Sequence, residues 1–113
     1  MDLVESKHRD VSIVGVCGRV DASTAPTFEQ KLLALIDAGT QRVVIDCTDL
    51  DYISSAGLRV LLVAAKRLKE PPAALVLCGV GPGVRTVLEL AGFLPLFAVE
   101  AGREQALARV AGS

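Results

Sequence analysis

Val11-Ser-Ile-Val-Gly-Val-Cys-Gly-Arg-Val20 is rich in β-branched residues and almost continuous in apolarity, which predicts a strand covered on both faces. Residues 3–7 form a weaker strand pattern before it, with His8-Arg9-Asp10 as a tight connection. The period then lengthens. Phe28, Leu32, Leu35 and Ile36 share one face of a helix opening around Pro26, where proline's missing N–H costs little. Ser23 or Thr24 is placed to cap that helix, and Gly39 to end it. Arg42-Val-Val-Ile-Asp46 is a second short buried strand. A helix is expected from about residue 54 to 68, with Leu58, Leu61, Leu62, Ala65 and Leu68 on its inner stripe. Lys66, Arg67 and Lys69 complement its dipole, and Pro71-Pro72 breaks it. Ala74-Leu-Val-Leu-Cys78 reads as another strand, and Val84, Val87, Leu88 and Ala91 mark a helix terminated at Gly92. A short strand near residues 97–99 and a helix from about 103 to 110 follow.

Strands alternating with helices after residue 20 predict an α/β fold. Its central sheet is mixed: mostly parallel, with an amino-terminal antiparallel hairpin and about four flanking helices. A length of 113 residues suits one domain, and no repeat, low-complexity tract or linker divides residues 1–113. Hydrophobic residues make up 51% and charged residues 22%, enough apolar surface to fill a core, which argues against disorder. A net charge of -1 and the scarcity of aromatics (no Trp, one Tyr, three Phe) give no reason to expect nucleic acid. Residues 1–10 are too polar for a secretory signal. The longest uncharged run, residues 71–84, is too short to cross a bilayer, so no direct membrane insertion is expected. Cys17, Cys47 and Cys78 lie far apart in apolar contexts and read as reduced core residues of a cytoplasmic protein. With no CxxC pair and His8 as the sole histidine, a zinc site is not expected.

The segment from Asp46 to Arg59 joins the second buried strand to the second helix through an acidic loop and paired serines. Ser54 is the better N-cap; Ser55 then falls in the first turn with its hydroxyl near solvent. The simpler reading is that both serines cap a helix. The sharper one is that a helix N-terminus, with about half a positive charge and unpaired N–H groups, accommodates a phosphoserine. Asp46, Asp49 and Asp51 are read as solvated loop acids, since no phosphate-binding glycine-lysine motif accompanies them. Cys78-Gly-Val-Gly-Pro-Gly-Val-Arg85 superficially resembles a phosphate cradle. It has six residues between Cys78 and Arg85 where tyrosine-phosphatase chemistry needs about five, Val84 stands in place of a third glycine, and Pro82 removes an amide. Its glycines therefore turn the chain.

Tyr52-Ile-Ser-Ser-Ala-Gly-Leu58, after Val43-Val-Ile-Asp46, resembles the phosphorylation-site segment of bacterial anti-sigma factor antagonists, the STAS-domain family. Gly18-Arg-Val-Asp-Ala-Ser-Thr-Ala25 looks like that family's strand-to-helix loop. Val76-Leu-Cys-Gly79, followed by Val84-Arg-Thr-Val-Leu-Glu-Leu-Ala-Gly-Phe93, is similar to its last strand and helix. The likeness runs in order over nearly the whole chain. It implies a STAS-like fold and a serine phosphorylated by a cognate kinase; aligned on Gly57-Leu58, that serine is Ser55. Ser54 stands where the family's archetypes have Asp, Ala56 where a second hydroxyl often follows, and Arg19 where members often have Glu. Asp21 matches the loop acid that helps engage the kinase. The implied partner surface is Asp21, Ser23 and Thr24 together with Ser54, Ser55, Ala56, Gly57, Leu58 and Arg59.

The implied function is a binding switch with no catalytic residue, metal or cofactor of its own. Unphosphorylated, the protein binds an anti-sigma factor/serine kinase and frees a sigma factor; phosphorylation of Ser55 ends the binding and a PP2C-type phosphatase restores it. One alternative is a STAS subunit regulating a membrane lipid or anion transporter, which needs no phosphoserine. The other is a small phosphatase using Cys78. The outer face of the final helix, with Arg103 and Glu104, is expected to stand apart from the partner surface.

Overall fold

The computed structural model describes residues 1–111. Strand β1 (Asp2–His8) pairs antiparallel with β2 (Val11–Val20), with Leu3 opposite Val16 and His8 opposite Val11. Helix α1 (Ala25–Asp37) leads to β3 (Arg42–Asp46), and β4 (Leu50–Ile53) leads into α2 (Ser55–Arg67). Then come β5 (Ala74–Cys78), α3 (Pro82–Leu90), a single 3-10 turn at Leu94–Leu96, β6 (Ala98–Glu100) and α4 (Arg103–Ala111). The sheet order is β1-β2-β3-β5-β6, parallel from β2 onward, and β4 pairs with the carboxyl end of β2.

Both faces of the sheet are covered, which is why β2, β3 and β5 read as apolar runs and not as alternating strands. Val14, Val16, Val43, Ile45 and Leu77 face the larger core, which α1, α2 and α3 close with Phe28, Leu32, Leu61 and Leu88. Val11, Ile13, Val44, Val76 and Cys78 face a smaller core closed by Ala106 and Val110 of α4. The side-chain period of two thus sorts each strand's residues between the two cores.

The structure adds two elements that the sequence pattern does not predict, β4 and the 3-10 turn. Three expectations also need correction. The last strand sits one residue later than residues 97–99. In α2 the buried stripe runs through Leu58, Val60, Leu61, Ala64 and Leu68, while Leu62 and Ala65 are half-buried. Apolar residues ring that helix, so periodicity left its rotation undetermined.

The third correction concerns Asp46, which is only 9% exposed and not a solvated loop acid. Its Oδ1 accepts hydrogen bonds from Thr48 N (3.0 Å) and Thr48 Oγ1 (2.6 Å), and Oδ2 accepts from Arg103 Nε at 2.6 Å. Arg103 therefore pins the start of α4 to the end of β3 and is no free surface residue. Burial alone would raise the Asp46 pKa, but Thr48 and Arg103 together hold it below the ordinary carboxylate value. A depressed folded-state pKa contributes stability at neutral pH that is lost as pH falls through that titration, below about 4. Asp46→Asn should accordingly cost about 1–3 kcal/mol at pH 7. The gap to the parent protein should close in acid. Urea melts at a series of pH values check this, and a gap independent of pH would refute it.

Candidate partner-binding site

Strands β2 and β4 are parallel neighbours, with Arg19 opposite Tyr52 and Val20 opposite Ile53. Parallel neighbours end on the same edge of a sheet, so the segments leaving them start side by side. Ser54 N donates to Val20 O at 2.8 Å, tying the beginning of α2 to the loop that opens α1. The Arg19 guanidinium lies 4.3 Å from the Tyr52 ring centroid at the same edge, a cation–π contact.

The loop of residues 21–24 is organised by Asp21. Its Oδ1 accepts from Ser23 Oγ (2.6 Å), Ser23 N (3.0 Å) and Thr24 N (3.1 Å). Thr24 Oγ1 in return accepts from Asp21 N at 2.9 Å, and Ala25 N reaches Asp21 O at 2.8 Å. This reciprocal arrangement has the logic of a capping box. The side chain that caps the entry to α1 is therefore Asp21, and Ser23 and Thr24 are its donors; Thr24, the residue before α1, makes no capping bond to the helix. The Ser23 hydroxyl, followed by the Thr24 N–H, holds the Asp21 carboxyl below its usual range. Asp21 Oδ2 has no hydrogen bond among the described residues and remains open to a partner. An Asp three residues before a Thr was the available signal for this turn.

Ser54 is the N-cap of α2, and its Oγ accepts from Gly57 N at 3.3 Å. Ser55 follows as the first helical residue, exposed, its hydroxyl without a partner among the described residues. Ala56 is half-buried and Arg59 exposed. Gly57 and Leu58 are buried, so within the expected partner surface they shape the helix start from beneath and offer a partner nothing to touch. A Cβ on Gly57 would lie 2.6 Å from Ile53 Cγ1 and 2.8 Å from Val20 Cγ1. The glycine is what lets α2 rest directly on the ends of β2 and β4.

The division of labour between the serines is testable. Ser54→Ala should lose about 1 kcal/mol of stability, the usual value of an N-cap. Ser55→Ala should stay within about 0.5 kcal/mol, as exposed substitutions do. Denaturant melts in which Ser55→Ala is the costlier change would mean that the Ser55 hydroxyl is occupied in the folded protein.

Between α1 and α2 runs a groove of about 210 Å³. Ala22, Ala25 and Pro26 line one side and Ala56 and Val60 the other, with Glu29 and Arg59 also at its edge. Sequence reasoning found Ala56 and Arg59 but had no signal for Glu29 or Val60, which join them only through the packing of the two helices.

The Cys78 loop has no activated nucleophile. Cys78 is fully buried, and burial, then Asp46, pushes its thiol up to about 11; burial raises Cys47 to about 12. Thiols so placed carry negligible thiolate near neutral pH. Among the described residues no group of three His, Cys, Asp or Glu side chains could hold a metal ion. None of the described helices is long and apolar enough to cross a membrane.

The profile of the STAS domain matches residues 3–106. A Bordetella bronchiseptica protein named as the anti-sigma factor antagonist BtrV is 45% identical over 108 residues, covering 96% of this chain and 93% of its own length. The anti-sigma-B factor antagonist of Staphylococcus epidermidis is 28% identical over 97 residues, 86% of this chain and 90% of the relative. The crystal structure of an anti-sigma factor antagonist from Mycobacterium paratuberculosis superposes with a TM-score of 0.89 at 27% identity, covering 97% of this chain and 93% of that one. By a profile match over most of its length and by these relatives, the chain belongs to the STAS domain family.

Proposed function

We infer that this protein is an anti-sigma factor antagonist, acting as one domain and switched by phosphorylation of Ser55. The observation that carries this reading is the exposed, unpartnered Ser55 hydroxyl on the first turn of α2, beside the Asp21 loop, in a chain 45% identical to BtrV. A phosphate there meets the positive end of a helix, so the fold has no reason to change. A protein docked over the same surface meets a new charge of about -1.5 to -2 at neutral pH. Modification thus alters what binds without altering what is folded. The partner is an anti-sigma factor/serine kinase that brings its own nucleotide site; a PP2C-type phosphatase reverses the modification, and the setting is the bacterial cytoplasm.

Intact-mass measurement before and after incubation with candidate anti-sigma kinases and ATP tests the reading. One phosphate should be gained by the parent protein and by Ser54→Ala, and none by Ser55→Ala. If Ser55→Ala still gains phosphate stoichiometrically and Ser54→Ala does not, the acceptor is Ser54. Failure of every candidate kinase to modify either serine would favour a STAS subunit that docks a transporter constitutively.

A further inference from the structure

The groove between α1 and α2 is lined mostly by apolar residues together with two opposite charges, Glu29 from α1 and Arg59 from α2. Neither forms an ion pair among the described residues, although both face the same space. An apolar slot bordered by two unneutralised charges is complementary to one aliphatic or aromatic side chain flanked by a carboxylate and a base. Such an anchor in a pocket is the usual energetic centre of a protein–protein interface. Arg59 has a second relationship. It stands four residues after Ser55 in α2, the spacing at which helical side chains lie over one another. A guanidinium binds phosphate and carboxylate by the same paired N–H geometry. Phosphate on Ser55 and a partner carboxylate therefore compete for one group.

We propose that this groove seats an apolar anchor residue of the anti-sigma partner with a partner carboxylate on Arg59, and that phosphoserine 55 ends docking by taking Arg59 for itself. The proposal rests on the Ser55 reading above and adds the residue that transmits the switch. Charge repulsion acting directly on the partner would make losses at Ser55 and Arg59 multiply. A shared guanidinium makes them overlap.

The test is calorimetric titration, without ATP, of the kinase found to phosphorylate Ser55. Its ligands are the parent protein, Ser55→Glu, Arg59→Gln, the pair, and Ala22→Phe, which fills the groove from its exposed edge. Ser55, Arg59 and Ala22 are all exposed, and circular dichroism and urea melts verify that each variant folds. Each single change should weaken binding about tenfold or more, as loss of a central interface group does. Adding Ser55→Glu to Arg59→Gln should weaken it by no more than about twofold further. Losses that multiply overturn the role of Arg59, and parent-like binding by Ala22→Phe overturns the groove. Parent-like binding by Ser55→Glu alone would instead sink the Ser55 reading and the coupling with it.

Discussion

Phe28→Ala should lower the unfolding free energy by about 3–5 kcal/mol, the largest stability loss expected from one substitution here. Phe28 is 1% exposed and packs into the larger core with Leu32 of its own helix and Val14, Val16 and Val20 of β2. It holds α1 to the sheet one turn beyond the Asp21 loop. Truncation removes the transfer energy of the ring and leaves a cavity that a doubly covered sheet cannot collapse around. Domains of this size have roughly 5–15 kcal/mol in total, so the variant folds with little reserve. With a urea dependence of about 1–3 kcal/mol/M, the midpoint should fall by about 1 M or more at unchanged slope. The hydrogen bonds of Asp21 with Ser23 and Thr24 are local and stay closed, so affinity for the proposed kinase partner should fall much less than stability. A midpoint shift under about 0.5 M would show that α1 is anchored by other contacts.

Gly57→Ala should act differently, with binding suffering as well as folding. The added methyl would press on Ile53 and Val20, which are 1% and 0% exposed and cannot move aside. Overpacking of this kind costs about 1–3 kcal/mol, against which alanine recovers up to about 1 kcal/mol of helix propensity. Where overlap outweighs propensity the net loss is up to about 2 kcal/mol. The strain is relieved by lifting the start of α2 off the sheet, which carries Ser55 and Arg59 with it. Kinase affinity should drop about tenfold or more, on the scale of a central interface residue. Ser54→Ala leaves α2 seated and should change affinity less. Equal affinities for parent and Gly57→Ala would mean that the position of the helix start does not matter to the partner.

The long elements were legible because their patterns are strong and locally caused. Continuous apolar runs mark β2, β3 and β5, and Pro26, Gly39 and Gly92 punctuate the helices. Strand β4 was not legible: it has four residues, Asp51 and Tyr52 are exposed, and its pairing with residues 18–20 is a tertiary fact with no local trace. Asp21 as cap was missed because two hydroxyl residues stood nearer to Pro26, the more familiar signature. Asp46 was misread for a related reason. Its partner Arg103 lies 57 residues away, and no local pattern announces a pair of that separation. In the candidate site, Ser54 and Ser55 could be assigned from sequence since a cap and a first turn are defined by neighbours along the chain. The groove could not, because Glu29 and Arg59 meet only once α1 and α2 have packed.

The ten residues of β2 also settle where the molecule can be handled. At about 3.3 Å per residue the strand spans roughly 30 Å, with the β1–β2 turn at one end and the Asp21 loop at the other. That is comparable with the protein's greatest extent, 30 Å. A biotin or fluorophore attached at His8, which is exposed, would therefore sit at the pole opposite Ser55. Cys47 and Cys78 are buried, so a cysteine introduced there for maleimide coupling competes only with the half-buried Cys17. Immobilised in this orientation, every molecule on a sensor surface presents Ser55, the proposed phosphate acceptor, outward to an anti-sigma partner flowing past.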